Sequence, residues 1–203
     1  MIRPCRSTWV AVRLAVVAAA LALGAPPASA QSVAFKIAGE GVGPDGLPLP
    51  TQPERGHWVV GNATHLGKHT GAGSVRTDWA VPVFEGDQLV GFEGEFGSGD
   101  GGFVFTGANG DKLATNYGRT DRGASAPGAF RLTIVGVTGG GDLVVEAQFV
   151  AEFVVDPAAS TGKFRGATGS WVMYAWSGPF VLGSSDPLGY AWEGEGRLTF
   201  PRP

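Results

Sequence analysis

The stretch Leu143-Val144-Val145-Glu146-Ala147-Gln148-Phe149-Val150-Ala151-Glu152-Phe153-Val154-Val155 decides the reading of this chain. Leu143, Val145, Ala147, Phe149, Ala151, Phe153 and Val155 share one parity, and Glu146, Gln148 and Glu152 share the other. Alternation with period two is the pattern of a strand with one buried and one wetted face. It recurs through the chain. Phe130, Leu132 and Ile134 oppose Arg131 and Thr133. Tyr190, Trp192, Leu198 and Phe200 oppose Glu193, Glu195, Arg197 and Thr199. Val90, Phe92 and Phe96 oppose Glu93 and Glu95. Parallel sheets are buried on both faces and read as unbroken apolar runs, and their crossovers need helices. Neither feature is visible after residue 30, so the sheet is expected to be antiparallel.

The turns agree. Asn109-Gly110-Asp111 separates Phe103–Thr106 from Lys112–Tyr117, and Asn-Gly is the strongest short hairpin signal. Gly139-Gly140-Gly141-Asp142 joins the next two strands, Asp156-Pro157 ends the long one, and Asp186-Pro187 precedes the last. The spacing predicts an all-β domain, a closed antiparallel barrel of about eight to nine strands. Closure is preferred because it leaves no exposed strand edge. The 34 glycines and 14 prolines accompany 43% hydrophobic residues, a content that excludes a disordered chain.

The N-terminus reads as a signal peptide over 1–30. Arg3, Arg6 and Arg13 precede the apolar run Leu14–Leu23, and Ala28-Ser29-Ala30 supplies a small-x-small cleavage site. The run is shorter than the roughly 20 apolar residues that span a bilayer, so no membrane span is expected. The leader is of bacterial style, and the protein is expected to be secreted or periplasmic. Cys5 is the single cysteine, so residues 31–203 can form no disulfide. Residues 31–55, rich in Gly and Pro, read as an irregular N-terminal arm, and 56–203 as the barrel domain. The chain carries 15 basic and 18 acidic residues, and the leader takes three of the bases and none of the acids. No cluster of Lys or Arg stands out, so nucleic acid is not expected as a partner.

Three stretches carry a family resemblance: Asn62-Ala63-Thr64-His65-Leu66-Gly67-Lys68, Ala108-Asn109-Gly110-Asp111-Lys112-Leu113 and Thr161-Gly162-Lys163-Phe164-Arg165-Gly166-Ala167-Thr168-Gly169. The third resembles the Thr-Gly-x-Phe-x-Gly-Ala-x-Gly turn of allene oxide cyclase-like and dirigent-like β-barrels. The set is similar to exported bacterial members of that group. The resemblance implies a calycin-like, eight-stranded antiparallel barrel whose interior, in the plant members, takes small apolar molecules. It places no plant catalytic residue on any position of this chain.

Motifs with catalytic spelling fail on context. Ser160-Thr161-Gly162-Lys163 lacks the glycine and the following Ser or Thr of a phosphate loop. Gly97-Ser98-Gly99-Asp100-Gly101-Gly102 precedes the strand-like Phe103-Val104-Phe105 instead of the helix that a dinucleotide site requires. The glutamates alternate onto the wet face, and no cofactor is implied. His65 and His69 on one strand would stand about 13 Å apart, too far to share a metal. His57 would reach either one only through a hairpin, and no metal is expected.

The candidate lining of the barrel is then His65, Trp79, Phe92, Phe103, Phe105, Phe149, Phe153, Trp171, Tyr190 and Trp192, with His65 the expected polar group. An eight-stranded barrel is just wide enough to be filled by side chains or to hold one small ligand. Three functions stay open: binding of a small apolar ligand without catalysis, a structural or interaction module of the cell surface, and a cyclase or dirigent-like isomerase. Val172, Tyr174 and Trp176 alternate with Trp171 and Met173, so both faces of that strand are apolar and a homo-oligomer contact is conceivable on the outer one.

Overall fold

The computed structural model describes residues 31–201, and the expected leader, Cys5 included, lies outside them. Ten strands follow one another: β1 Gln31–Gly43, β2 Arg55–Ala63, β3 Gly67–Glu85, β4 Gln88–Gly107, β5 Lys112–Tyr117, β6 Gly128–Val137, β7 Leu143–Val155, β8 Thr168–Ser177, β9 Phe180–Val181 and β10 Leu188–Phe200. Among the described residues there is no α-helix, only single 3₁₀ turns at Thr120–Arg122 and Gly162–Phe164.

Every pairing is antiparallel. The order runs β3, β2, β1, β10, β8, β7, β5, β4, and β4 pairs back to β3, so eight strands close into a ring. β5 and β6 share one interval of that ring. β5 bonds to Phe103–Thr106 of β4, and β6 bonds to Gly91–Phe96 of the same strand. On their other side both meet β7.

Side-chain parity follows the pattern read from the sequence. On β7, Val145, Ala147, Ala151, Phe153 and Val155 are buried, and Glu146 and Gln148 are exposed. On β10, Trp192 and Leu198 are buried, and Glu193, Glu195 and Arg197 are exposed. The interior is largely aromatic. The Phe105 ring lies 4.8 Å from Phe103, 5.9 Å from Trp171 and 5.8 Å from Trp192, centroid to centroid. Tyr117 stacks on Phe153 at 4.6 Å, and Phe153 on Trp171 at 5.4 Å.

The irregular arm expected over 31–55 is corrected in its first thirteen residues. β1 pairs along its whole length with β10, from Gln31↔Phe200 to Gly43↔Leu188, and Ile37–Val42 pair with β2. Its inner face begins with Val33, Phe35 and Ile37 and then continues through Gly39, Gly41 and Gly43. Three glycines in a row at inward positions erase the alternation by which a strand is recognised. At Gly41 the vacant side is used, since a Cβ there would collide with the Tyr190 ring. Within 31–55 only residues 44–54 lack strand structure. That segment folds back over one end of the ring, where Pro48 is fully buried and its carbonyl accepts a 2.6 Å hydrogen bond from Thr77 Oγ1.

The three resembling stretches gather at the opposite end. The Ala108 N–H donates to the Lys68 carbonyl at 3.1 Å, and the Thr161 N–H to the Lys112 carbonyl at 2.9 Å. Gly162, Gly166 and Gly169 have φ of 60°, 71° and 126°, which is why three glycines stand in that turn.

Phe105 sits at the centre of the aromatic core with 1% exposure, whereas Val137 on β6 is 60% exposed. Phe105→Ala is expected to lower the unfolding free energy by about 3–5 kcal/mol. Val137→Ala should change it by less than about 0.5 kcal/mol. Urea unfolding followed by tryptophan fluorescence measures both.

Candidate functional site

β2 starts beneath the segment 44–54, and its second inward position is His57, flanked by the outward Gly56 and Trp58. The inward direction places the imidazole between two tyrosines from distant parts of the chain. His57 Nδ1 lies 2.7 Å from Tyr190 Oη on β10, and Nε2 lies 3.0 Å from Tyr117 Oη on β5. Tyr117 Oη donates in turn to the Ser74 carbonyl at 3.1 Å.

That last bond fixes the others. Tyr117 has one proton and spends it on Ser74, so its oxygen must accept from His57 Nε2–H. His57 Nδ1 is then unprotonated and accepts from the Tyr190 hydroxyl. The chain Tyr190 → His57 → Tyr117 → Ser74 uses each hydrogen once. Burial without an acidic partner lowers the His57 pKa from 6.5 to about 4. Burial also raises Tyr190, and raises Tyr117 together with the nearby Tyr190 and Glu54. All three groups are neutral at pH 7.

Around this polar chain the walls are apolar. A cavity of about 70 Å³ lies against His57, Tyr117 and Tyr190 and is bordered by Leu47, Pro48, Val75, Phe96, Phe149, Phe153, Met173 and Leu188. At roughly 15 Å³ for each water-sized group, it holds about five. Leu47 and Pro48 supply the wall on the side of the segment 44–54. A smaller void of about 20 Å³ lies deeper, walled by His57, Val59, Phe103, Phe105, Phe153, Met173, Tyr190 and Trp192.

The residues expected to line the interior divide accordingly. Phe149, Phe153 and Tyr190 border the outer cavity, and Phe103, Phe105, Phe153, Tyr190 and Trp192 border the inner void. Trp171 is fully buried in the aromatic core but borders neither. Phe92 is half-buried and also stands away from both.

Two expectations are corrected. Trp79 is 41% exposed, and its Nε1 donates to the Glu95 carboxylate at 2.7 Å. It stands beyond Val75, where β3 pairs with β4 alone, and two register shifts around it break the parity. His65 is exposed in the turn between β2 and β3, with φ of 67°, its ring edge-on to Phe200. The polar group at the cavity is His57, eight residues earlier and at the other end of β2.

His57, Tyr117 and Met173 were absent from the sequence-derived lining. A faint signal for His57 exists: it shares parity with Val59, which is buried, but the apolar Trp58 and Val60 on the outer face mask it. No group of three or more His, Cys, Asp or Glu side chains is placed to hold a metal ion among the described residues. No family model, curated protein or solved structure matches the chain significantly.

The His57 ring makes stability depend on pH with a definite sign. Unfolded, it takes a proton near pH 6.5; folded, only near pH 4. The unfolded chain therefore binds more protons in that window, and stability falls as pH drops from about 6.5 to about 4. This ring contributes up to about 3 kcal/mol of the fall. His69, buried and lowered for the same reason, adds to it with the same sign. His57→Gln should flatten, without abolishing, the decline in urea midpoint between pH 7 and pH 4.5. An unchanged slope in the variant contradicts the placement of this ring.

Proposed function

We propose that the protein binds one small apolar molecule in the cavity beside His57, without catalysis. We further propose that the closed ring is a calycin-like barrel of the allene oxide cyclase type, exported from a bacterial cell. The observation that carries the binding reading is the cavity itself. It is walled by aliphatic and aromatic side chains around one polar chain whose hydrogen bonds are already satisfied. Concave, mostly apolar sites with a few fixed polar groups are where small ligands are held.

Acid–base chemistry is poorly served here. A general base works best with a pKa near the working pH, and His57 stands at about 4 while Tyr190 is pushed upward. A cyclase or dirigent-like isomerase would have to overcome that mismatch, so binding takes precedence. One observation favours the interaction-module reading as a second function. Val172, Tyr174 and Trp176 of β8 all face outward and are exposed, an apolar row suited to a second protein surface or another copy of this chain.

Met1 and Met173 are the two methionines of the sequence, and Met173 borders both internal spaces. Protein labelled with ¹³C at the methionine methyls therefore carries its own reporter. Titration with 2-methyl-1-butene, a small branched alkene, should shift the Met173 methyl saturably, with no second methionine in residues 31–203 to overlap it. A Met173 signal that stays in place at saturating alkene contradicts the binding reading.

A further inference from the structure

We infer that the outer half of β3 is an open sheet edge that takes an extended segment of another polypeptide as an additional strand. β3 loses its β2 neighbour at the pair Arg55↔Val75 and runs on to Glu85 with β4 alone beside it. Among the described residues no strand pairs with its other side there. Such an edge presents unpaired N–H and C=O groups and templates the addition of a further strand.

The ladder shows which groups are free. A Cβ at Gly94 would collide with the Trp79 carbonyl, so Trp79 turns its peptide groups toward β4. Val81 and Val83 follow it at period two, opposite Glu93 and Gly91. Ala80, Pro82 and Phe84 therefore point their groups away from the sheet. They offer three carbonyls but only two donors, because proline has no N–H. The place of Pro82 agrees, since proline within a sheet is confined to positions whose nitrogen faces no partner. The side chains along the edge are apolar and lie open. Val81 is 43% and Phe84 56% exposed, and Trp79, Ala80 and Pro82 are exposed as well.

Pro82 also decides between occupants. A foreign strand laid along Ala80, Pro82 and Phe84 forfeits one hydrogen bond, the one that Pro82 cannot donate. Two copies of this edge forfeit two in any antiparallel register that includes both prolines, and the register centred on Pro82 sets the two rings face to face. Charge narrows the partner further. Glu85 and Asp87 are exposed at the far end of the edge and join no ion pair among the described residues. No Lys or Arg lies between Thr77 and Gly91. The segment that fits is therefore apolar at alternate positions and basic at the end beside Glu85 and Asp87. In an antiparallel strand, the only kind this sheet contains, that end is N-terminal. The edge is separate from the cavity beside His57, so this inference and the binding reading stand or fall independently.

The test uses the protein labelled with ¹⁵N and the synthetic peptide acetyl-Lys-Lys-Val-Thr-Val-Thr-Val-amide. At saturating peptide the Ala80 and Phe84 amide protons should exchange with solvent at least about tenfold more slowly. They should also show Overhauser contacts to the peptide backbone. The same peptide methylated at every Val and Thr nitrogen cannot donate and should not bind, and exchanging its lysines for glutamates should weaken it. Ala80→Pro removes a donor that no strand of this protein uses and should weaken binding about tenfold with the fold kept. Pro82→Ala restores a donor and should tighten binding by a similar factor. Should Ala80→Pro fail to fold, Pro82→Ala carries the comparison alone. Equal binding of the methylated peptide, or Ala80 and Phe84 amides that stay unchanged, overturns the proposal. Concentration-dependent pairing of the unaltered protein through Ala80 and Phe84, seen without peptide, gives the edge to a second copy and overturns the choice of occupant.

Discussion

Closure of the backbone ladder is the constraint on which everything else depends. Once β4 returns to β3, each residue of the eight-stranded ring must point either into the ring or out of it. The interior is narrow, and the rings of Phe103, Phe105, Phe153, Trp171 and Trp192 fill most of it. An interior so filled leaves space only where the aromatic stack stops. That is the end where β1 runs out in glycine and the segment 44–54 folds over. The location of the cavity is therefore a consequence of where bulky inward residues give way to small ones.

The same constraint explains the polar chain. His57 points inward because β2 must alternate, and Tyr117 and Tyr190 point inward because β5 and β10 must as well. Three strands thus deliver three polar groups to one level of the ring, and each satisfies its neighbour. Gly41 completes the arrangement, since the Tyr190 ring occupies the space that any side chain there would need. The result is a neutral, internally satisfied cluster facing an apolar space.

Much of the fold was legible in the sequence because alternation survives wherever inward residues are large. On β7 and β10, Phe153, Trp192 and Leu198 are buried as the alternation predicts, and β10 begins two residues before the pattern, at Leu188. β1 is hidden in the sequence because half of its inward positions are glycine and carry no signal. Trp79 departs from the expected inward face because the register shift beside it and the missing β2 neighbour release it from the parity of the ring. The site was the least legible part. The three stretches that carry the family resemblance, His65 among them, lie at the far end of the ring from His57. The pairing of His57 with two tyrosines joins residues 60 and 133 positions apart, a juxtaposition that only the register can create.

Ring closure is most exposed to test at its shortest seam, where β5 bridges β4 and β7 through a few residues around Thr115. Thr115 pairs with Phe103 on one side and with Val155 on the other. Nuclear Overhauser contacts between the Thr115 backbone and the backbones of both partners are the direct measurement. The account predicts both sets in the same folded protein. Contacts to one partner alone, with the other side of β5 exchanging freely with solvent, would leave β4 and β7 bridged by β6 only and contradict the eight-stranded ring on which the account rests.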